Sequence, residues 1–193
     1  MKKTGDLSDA LKKYAAGKNK KVRAGIFESA TYAQADGEPL PVAQVAFWNE
    51  YGAQIQIPEH QITVYRLVSE KTGDFRLNGR FVKQSKANLA TTHTVPAHTI
   101  NIPARSFFRK TVRTHKGEWI KALPGLVSQH GAAKGLELVG EAMKGNLVES
   151  IMTWTDPPNS KATIARKGKD APLRDTMQMS RSIGVEVSDN DES

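Results

Sequence analysis

The sequence contains no cysteine in 193 residues. That excludes disulfides and thiolate zinc sites and removes the thiol from the possible nucleophiles. No apolar run approaches the roughly 20 residues that a bilayer span requires. The segment from Met1 to Asp6 has none of the apolar core of a signal peptide, so the chain is expected to stay in the compartment where it is made, away from membranes. Histidine is limited to five residues, which must carry any metal site without thiolates. They include no i, i+4 pair and no H-E-x-x-H, and His93 and His98, five apart in a strand-rich stretch, fall on opposite faces. The phosphate-binding and nucleophile-elbow patterns G-x-x-x-x-G-K-[ST], G-x-G-x-x-G and G-x-S-x-G are also missing. The sequence therefore gives no support to an enzyme, a metal or a cofactor. Glu137 and Glu141 stand at i and i+4, a spacing that reads as a solvated helix edge.

What is present is an ordinary globular composition with an excess of positive charge. Lys plus Arg number 28 against 20 Asp plus Glu, a formal charge of +8, so a polyanion is the first partner that composition suggests. The charge is uneven. Lys12, Lys13, Lys18, Lys20, Lys21 and Arg23 crowd one end, while Asp189, Asp191 and Glu192 make the other acidic. Two further basic stretches, Arg105-Arg109-Lys110-Arg113 and Lys161-Arg166-Lys167-Lys169, have the charge to neutralise phosphates but not the spacing of a known nucleic-acid-binding module.

Periodicity predicts an amphipathic helix from Asp6 to Gly17, with Leu7, Leu11, Tyr14 and Ala15 on one stripe. A strand follows over 21–27, where Val22, Ala24 and Ile26 alternate with Lys21, Arg23 and Gly25. After a polar loop over 28–38, Pro41 starts and Gly52 stops a second helix. That helix is apolar on nearly every side, so Phe47, Trp48 and Tyr51 exceed what one core would bury, and its aromatic side is expected to meet another subunit.

Residues 53–103 read as an inserted β-rich arm. Ile62 to Val68 is β-branched and aromatic, and Asn78-Gly79 between Phe75-Arg76-Leu77 and Arg80-Phe81-Val82 is a hairpin signal. Ile55-Gln56-Ile57-Pro58 and Ile100-Asn101-Ile102-Pro103 are expected to pair at the base of the arm. Beyond it, a helical region from Arg105 is expected to break at Gly117 and at Pro124-Gly125. A longer helix is expected over 133–154, weakened by Gly135, Gly140 and Gly145. Residues 159–172 read as a loop, 173–181 as a short helix, and Ile183, Val185 and Val187 as a last strand paired with 21–27. The resulting order defines an α+β fold, a small mixed or antiparallel sheet packed with helices. Its compact domain covers 1–52 and 104–193, with the β-hairpin arm inserted at 53–103.

Several segments together resemble one known family. They are Val22-Arg23-Ala24-Gly25-Ile26-Phe27, the run Pro41-Val42-Ala43-Gln44-Val45-Ala46-Phe47-Trp48-Asn49-Glu50-Tyr51-Gly52-Ala53, and Ile102-Pro103-Ala104-Arg105-Ser106-Phe107-Phe108-Arg109. Pro157-Pro158-Asn159-Ser160, Thr163 to Gly168, and Pro172-Leu173-Arg174-Asp175-Thr176 leading to Ser182-Ile183 continue the match in order. The sequence resembles the tail-completion, or neck, proteins of tailed bacteriophages, also described as head-tail joining or minor tail proteins. It departs in two places. Many relatives pass almost directly from N-E-[YF]-G to I-P-A-R-x-F, without the arm, and Met177 stands where a Gly commonly follows the D-T pair.

The resemblance implies a non-enzymatic virion component at the head-tail junction, assembled in the host cytoplasm. It would form a ring, a hexamer by analogy with tail symmetry, between the connector and the tail tube or its terminator, with genomic DNA passing through the lumen. Trp48, Tyr51, Arg105, Phe107 and Phe108 in the domain, and Tyr65 and Phe81 in the arm, are then the expected interface residues. The alternative from charge alone is a sequence-independent DNA-binding protein. A metal-dependent nuclease is a third possibility, without an acidic cluster to support it.

Overall fold

A computed structural model of the chain describes residues 19–27, 29–32 and 39–189. The expected helix over 6–17, Lys12, Lys13, Lys18, most of the loop at 28–38 and the acidic Asp191 and Glu192 lie outside the described residues. The elements are β1 (Lys20–Ile26), β2 (Thr31–Tyr32), β3 (Leu40–Pro41), α1 (Val42–Tyr51), β4 (Ala53–Ile57), β5 (His60–Arg66), β6 (Leu89–Val95), β7 (His98–Ile102), α2 (Phe107–His130), α3 (Ala132–Thr153), α4 (Lys161–Lys167), α5 (Gln178–Arg181) and β8 (Ile183–Asp189). This is an α+β fold, with the strands of the described residues paired as four two-stranded ribbons. Among the described residues, no helix is long and apolar enough to cross a membrane.

The chain divides into two compact units, Gln54–Asn101 and the remainder. In the larger unit, β1 pairs antiparallel with β8 and sets Val22, Ala24 and Ile26 opposite Val187, Val185 and Ile183. These side chains share one face, because residues two apart in a strand point the same way. That face lies on α3. A Cβ added at Gly140 would stand 2.4 Å from Val185 Cγ1 and 2.7 Å from Val22 Cγ2. Gly140 is thus where the helix touches the sheet, and Gly135 plays the same part toward α2, since its Cβ would meet Val127 N at 2.8 Å. Both glycines, expected only to weaken α3, permit the close approach on which its packing depends. Val42, Ala46, Phe107, Leu147, Ile151, Met179 and Ile183 form the core cluster where α1, α2, α3, α5 and β8 meet.

Three local expectations are corrected. α2 does not break at Gly117 or Pro124 but runs unbroken from Phe107 to His130, with Pro124 inside it. Packing explains this: α2 and α3 form a helical hairpin turned at Gly131 and fixed midway by Trp119 Nε1 donating to Asn146 Oδ1 at 2.9 Å. The packed face outweighs the local penalty of one proline on an exposed side. Residues 161–167 form α4 instead of a loop. Ser160 accepts from Thr163 N–H at its start, and Gly168, left-handed at φ 73°, stops it. The helix expected over 173–181 is confined to α5, because Leu173 (φ 61°) and Met177 (φ 62°) both adopt left-handed backbone.

The smaller unit holds β5 and β6, antiparallel over seven residue pairs from His60↔Val95 to Arg66↔Leu89. β4 pairs with β7, which puts the two I-x-I-P segments side by side. Asn78-Gly79 does sit in a tight turn, with Leu77 and Asn78 both at φ 53°. The flanking residues, however, do not pair with each other as the hairpin signal implied. Phe75 bridges Val68, and Arg76 and Val82 donate to Leu67 O and Tyr65 O. A longer-range partner has taken the hydrogen bonds that a local hairpin would have used. No residue from 54 to 101 is fully buried, so this unit has little core of its own.

Candidate functional site

Glu50 is the only acidic residue of α1, on a helix that is otherwise apolar or neutral. It is 5% exposed, and a carboxylate so placed must be paired. Its two oxygens accept from the first free N–H groups of α2, Oε2 from Phe108 N at 2.8 Å and Oε1 from Arg109 N at 3.1 Å. The negative charge also meets the positive end of that helix. Arg109 closes the arrangement, donating from Nε to Glu50 Oε1 at 2.8 Å and from Nη2 to the Glu50 carbonyl at 3.1 Å and Ser106 Oγ at 2.8 Å.

Arg105 lies beside this pair and is 6% exposed. Its guanidinium donates to Pro157 O at 3.0 Å, Pro158 O at 2.9 Å and Asn49 Oδ1 at 3.2 Å, and its backbone N–H donates to Asn49 O. Burial pushes the guanidinium below its ordinary value, and nearby Asp170 partly offsets this. Gly52 completes the junction. At φ 79°, a Cβ there would lie 3.1 Å from Ile102 O and 3.2 Å from Ala104 N. The segments Asn49-Glu50-Tyr51-Gly52, Ile102 to Arg109 and Pro157-Pro158 thus converge on one buried polar network.

Over this network lies an open groove of about 230 Å³ between β1, α1 and α2, floored by Ile26, Ala46, Phe107 and Leu147. Its rim is aromatic. Phe47 and Tyr51 are more than half exposed and Phe108 is 38% exposed. The Phe47 and Tyr51 rings are 4.8 Å apart, and the Arg109 guanidinium stands 4.6 Å over Tyr51. The pair that caps α2 therefore also holds an exposed aromatic in place.

The expected interface residues separate into three groups. Tyr51 and Phe108 are on the rim, with Trp48 half-buried in the same helix. Phe107, 2% exposed, is in the core, and Arg105 is occupied by intramolecular acceptors. Both act within this chain, because the converging segments need a filler and a fork of donors where they meet. In the smaller unit Tyr65 is half-buried, while Phe81 is 64% exposed under the Arg66 guanidinium at 4.9 Å. Glu50 was not among the expected residues, and Phe47 was expected only as part of the aromatic side of its helix. The signal for Glu50 was a lone acid at the end of an apolar helix.

Among the described residues, no three or more His, Asp or Glu side chains are grouped to hold a metal. His60 and His98, not paired by their spacing in sequence, have ring centroids 6.4 Å apart. Glu137 and Glu141 are each in surface ion pairs, with Lys134 and Lys144. No protein-family model, curated protein or solved structure matches the chain.

Proposed function

We propose that this chain is a structural virion protein of a tailed phage, a tail-completion or neck component. In this reading it caps the tail tube, joins it to the connector and forms a ring through which DNA passes. One observation supports the reading most. Three of the segments that carry the resemblance, far apart in the chain, meet in the Glu50–Arg109 and Arg105–Pro157–Pro158 network. These motifs therefore serve a common structural junction, and that junction carries the exposed Phe47, Tyr51 and Phe108. Aromatic rims fixed by buried polar groups suit the anchoring of a permanent partner.

The smaller unit fits the same role. It has no fully buried residue, yet it exposes Ile62, Phe75, Leu77, Phe81 and Ile100. Such a β ribbon gains stability by adding its strands and apolar side chains to a neighbour. The test is a Phe47→Asp, Tyr51→Asp double variant supplied in place of the natural chain. It should fold, since both side chains point outward, but leave heads and tails unjoined. Normal joining by this variant would count against the reading.

A further inference from the structure

α2 carries five cations, Arg109, Lys110, Arg113, Lys116 and Lys121, against one carboxylate, Glu118. All five cationic residues are exposed. Steps of four, three and four residues put Arg109, Arg113, Lys116 and Ile120 on one outward row, with Lys110, Gly117, Lys121 and Pro124 on the next. Glu118 falls outside both rows, bonded to His115 at 3.0 Å. Arg109 is held by Glu50, and Lys110 lies 5.1 Å over the Trp154 ring. Arg113, Lys116 and Lys121 form no ion pair among the described residues, whereas Lys20, Lys134, Lys144 and Arg166 do.

We infer that the outward face of α2 is the surface this chain turns toward duplex DNA, contacting the phosphate backbone through Arg113, Lys116 and Lys121, with Lys110 at the edge. From Arg109 to Lys121 the face extends about 18 Å, comparable to about five phosphates of one strand along the duplex axis. Its exposed large hydrophobic side chain is Ile120, too little for an amphipathic membrane contact. The backbone of duplex DNA fits a row of unpaired cations without a base-reading module. Each subunit's contact would be weak and sensitive to salt, as passage of DNA requires. The inference rests on the neck reading and assigns the surface that reading leaves open.

The test is fluorescence anisotropy with a short labelled duplex and the full chain, titrated between about 50 and 200 mM salt. The wild type should bind without sequence preference, with a log–log salt slope of about −3 to −4. R113E/K116E/K121E should lose about tenfold or more in affinity at low salt, and the slope should fall close to zero. K71E/K83E/K86E changes net charge equally, at exposed positions elsewhere, and should keep the slope. Circular dichroism should show both variants folded. Equal loss in the two triple variants, or no wild-type binding at about 50 mM salt, would overturn the inference. Head-tail joining separates the two claims. An α2-dependent affinity in a chain that is dispensable for joining would retain the DNA surface and reject the neck reading. A chain needed for joining whose α2 charges do not affect DNA binding would do the reverse.

Discussion

Glu50 and Arg109 form an ion pair at 2.8 Å in which the carboxylate is 7% exposed and the guanidinium 54% exposed. The asymmetry matters. The buried partner also caps α2 through two backbone N–H groups, while the exposed partner reaches out over Tyr51. One acid therefore links the end of α1, the start of α2 and the aromatic rim.

Removing that acid should be expensive. Glu50→Ala leaves the first N–H groups of α2 without their acceptor and frees Arg109, with an expected loss of about 2–4 kcal/mol. Arg109→Gln keeps the cap and loses only a half-exposed partner, so about 1 kcal/mol or less is expected. Urea denaturation of both variants tests the order, which would be reversed if the guanidinium were the main support.

The glycines of α3 should respond in opposite directions. Gly140→Ala forces a methyl into Val185 and Val22, and a loss of about 1–3 kcal/mol is expected. Gly145 has nothing within 4 Å of an added Cβ, so Gly145→Ala should gain about 0.5–1 kcal/mol from helix propensity. Thermal melts of the two variants would place them on either side of the wild type.

Met177 holds left-handed backbone at φ 62°, a conformation that glycine adopts freely. The turn is kept with a residue that pays for it, by about 1 kcal/mol. Met177→Gly should raise stability by up to about that amount, measured by denaturant midpoint. A clear loss would show that packing of the half-buried methionine outweighs backbone strain.

Tyr32 supplies a dependence on pH. Burial raises its hydroxyl above the ordinary value of 10.0, and Asp175 adds to the rise. Between the ordinary and the raised value the folded chain retains a proton that the unfolded chain has released, so stability falls as pH climbs through that interval. Above pH 10 the melting temperature should fall less steeply in Tyr32→Phe than in the wild type, with the two close together at pH 8. Parallel profiles would remove Tyr32 from the account.

Much of the fold was legible because it follows periodicity. Alternation marked β1 and β8, and the stripe from Leu136 to Ile151 marked α3, because each buries one face against a single neighbour. What escaped was decided elsewhere. Pro124 reads as a helix stop, but α2 continues through it on the strength of its contact with α3. Asn78-Gly79 turns the chain, yet the residues on either side bond to residues 65–68 instead of to each other. α4 was visible in principle, since Ser160 and Gly168 bracket it with a start and a stop, although its charged residues read as a loop. In the site, aromatic excess in α1 pointed to the rim, but no periodicity could show that Asn49-Glu50 would meet Arg105 and Arg109 across the inserted unit.

The central claim is a place at the head-tail junction. Its most direct test is electron microscopy of particles assembled from the encoding genome with this reading frame disabled, with the chain supplied in trans as control. Filled heads and completed tails should accumulate apart and join when the chain is restored. Joined, infectious particles formed without it would contradict the account.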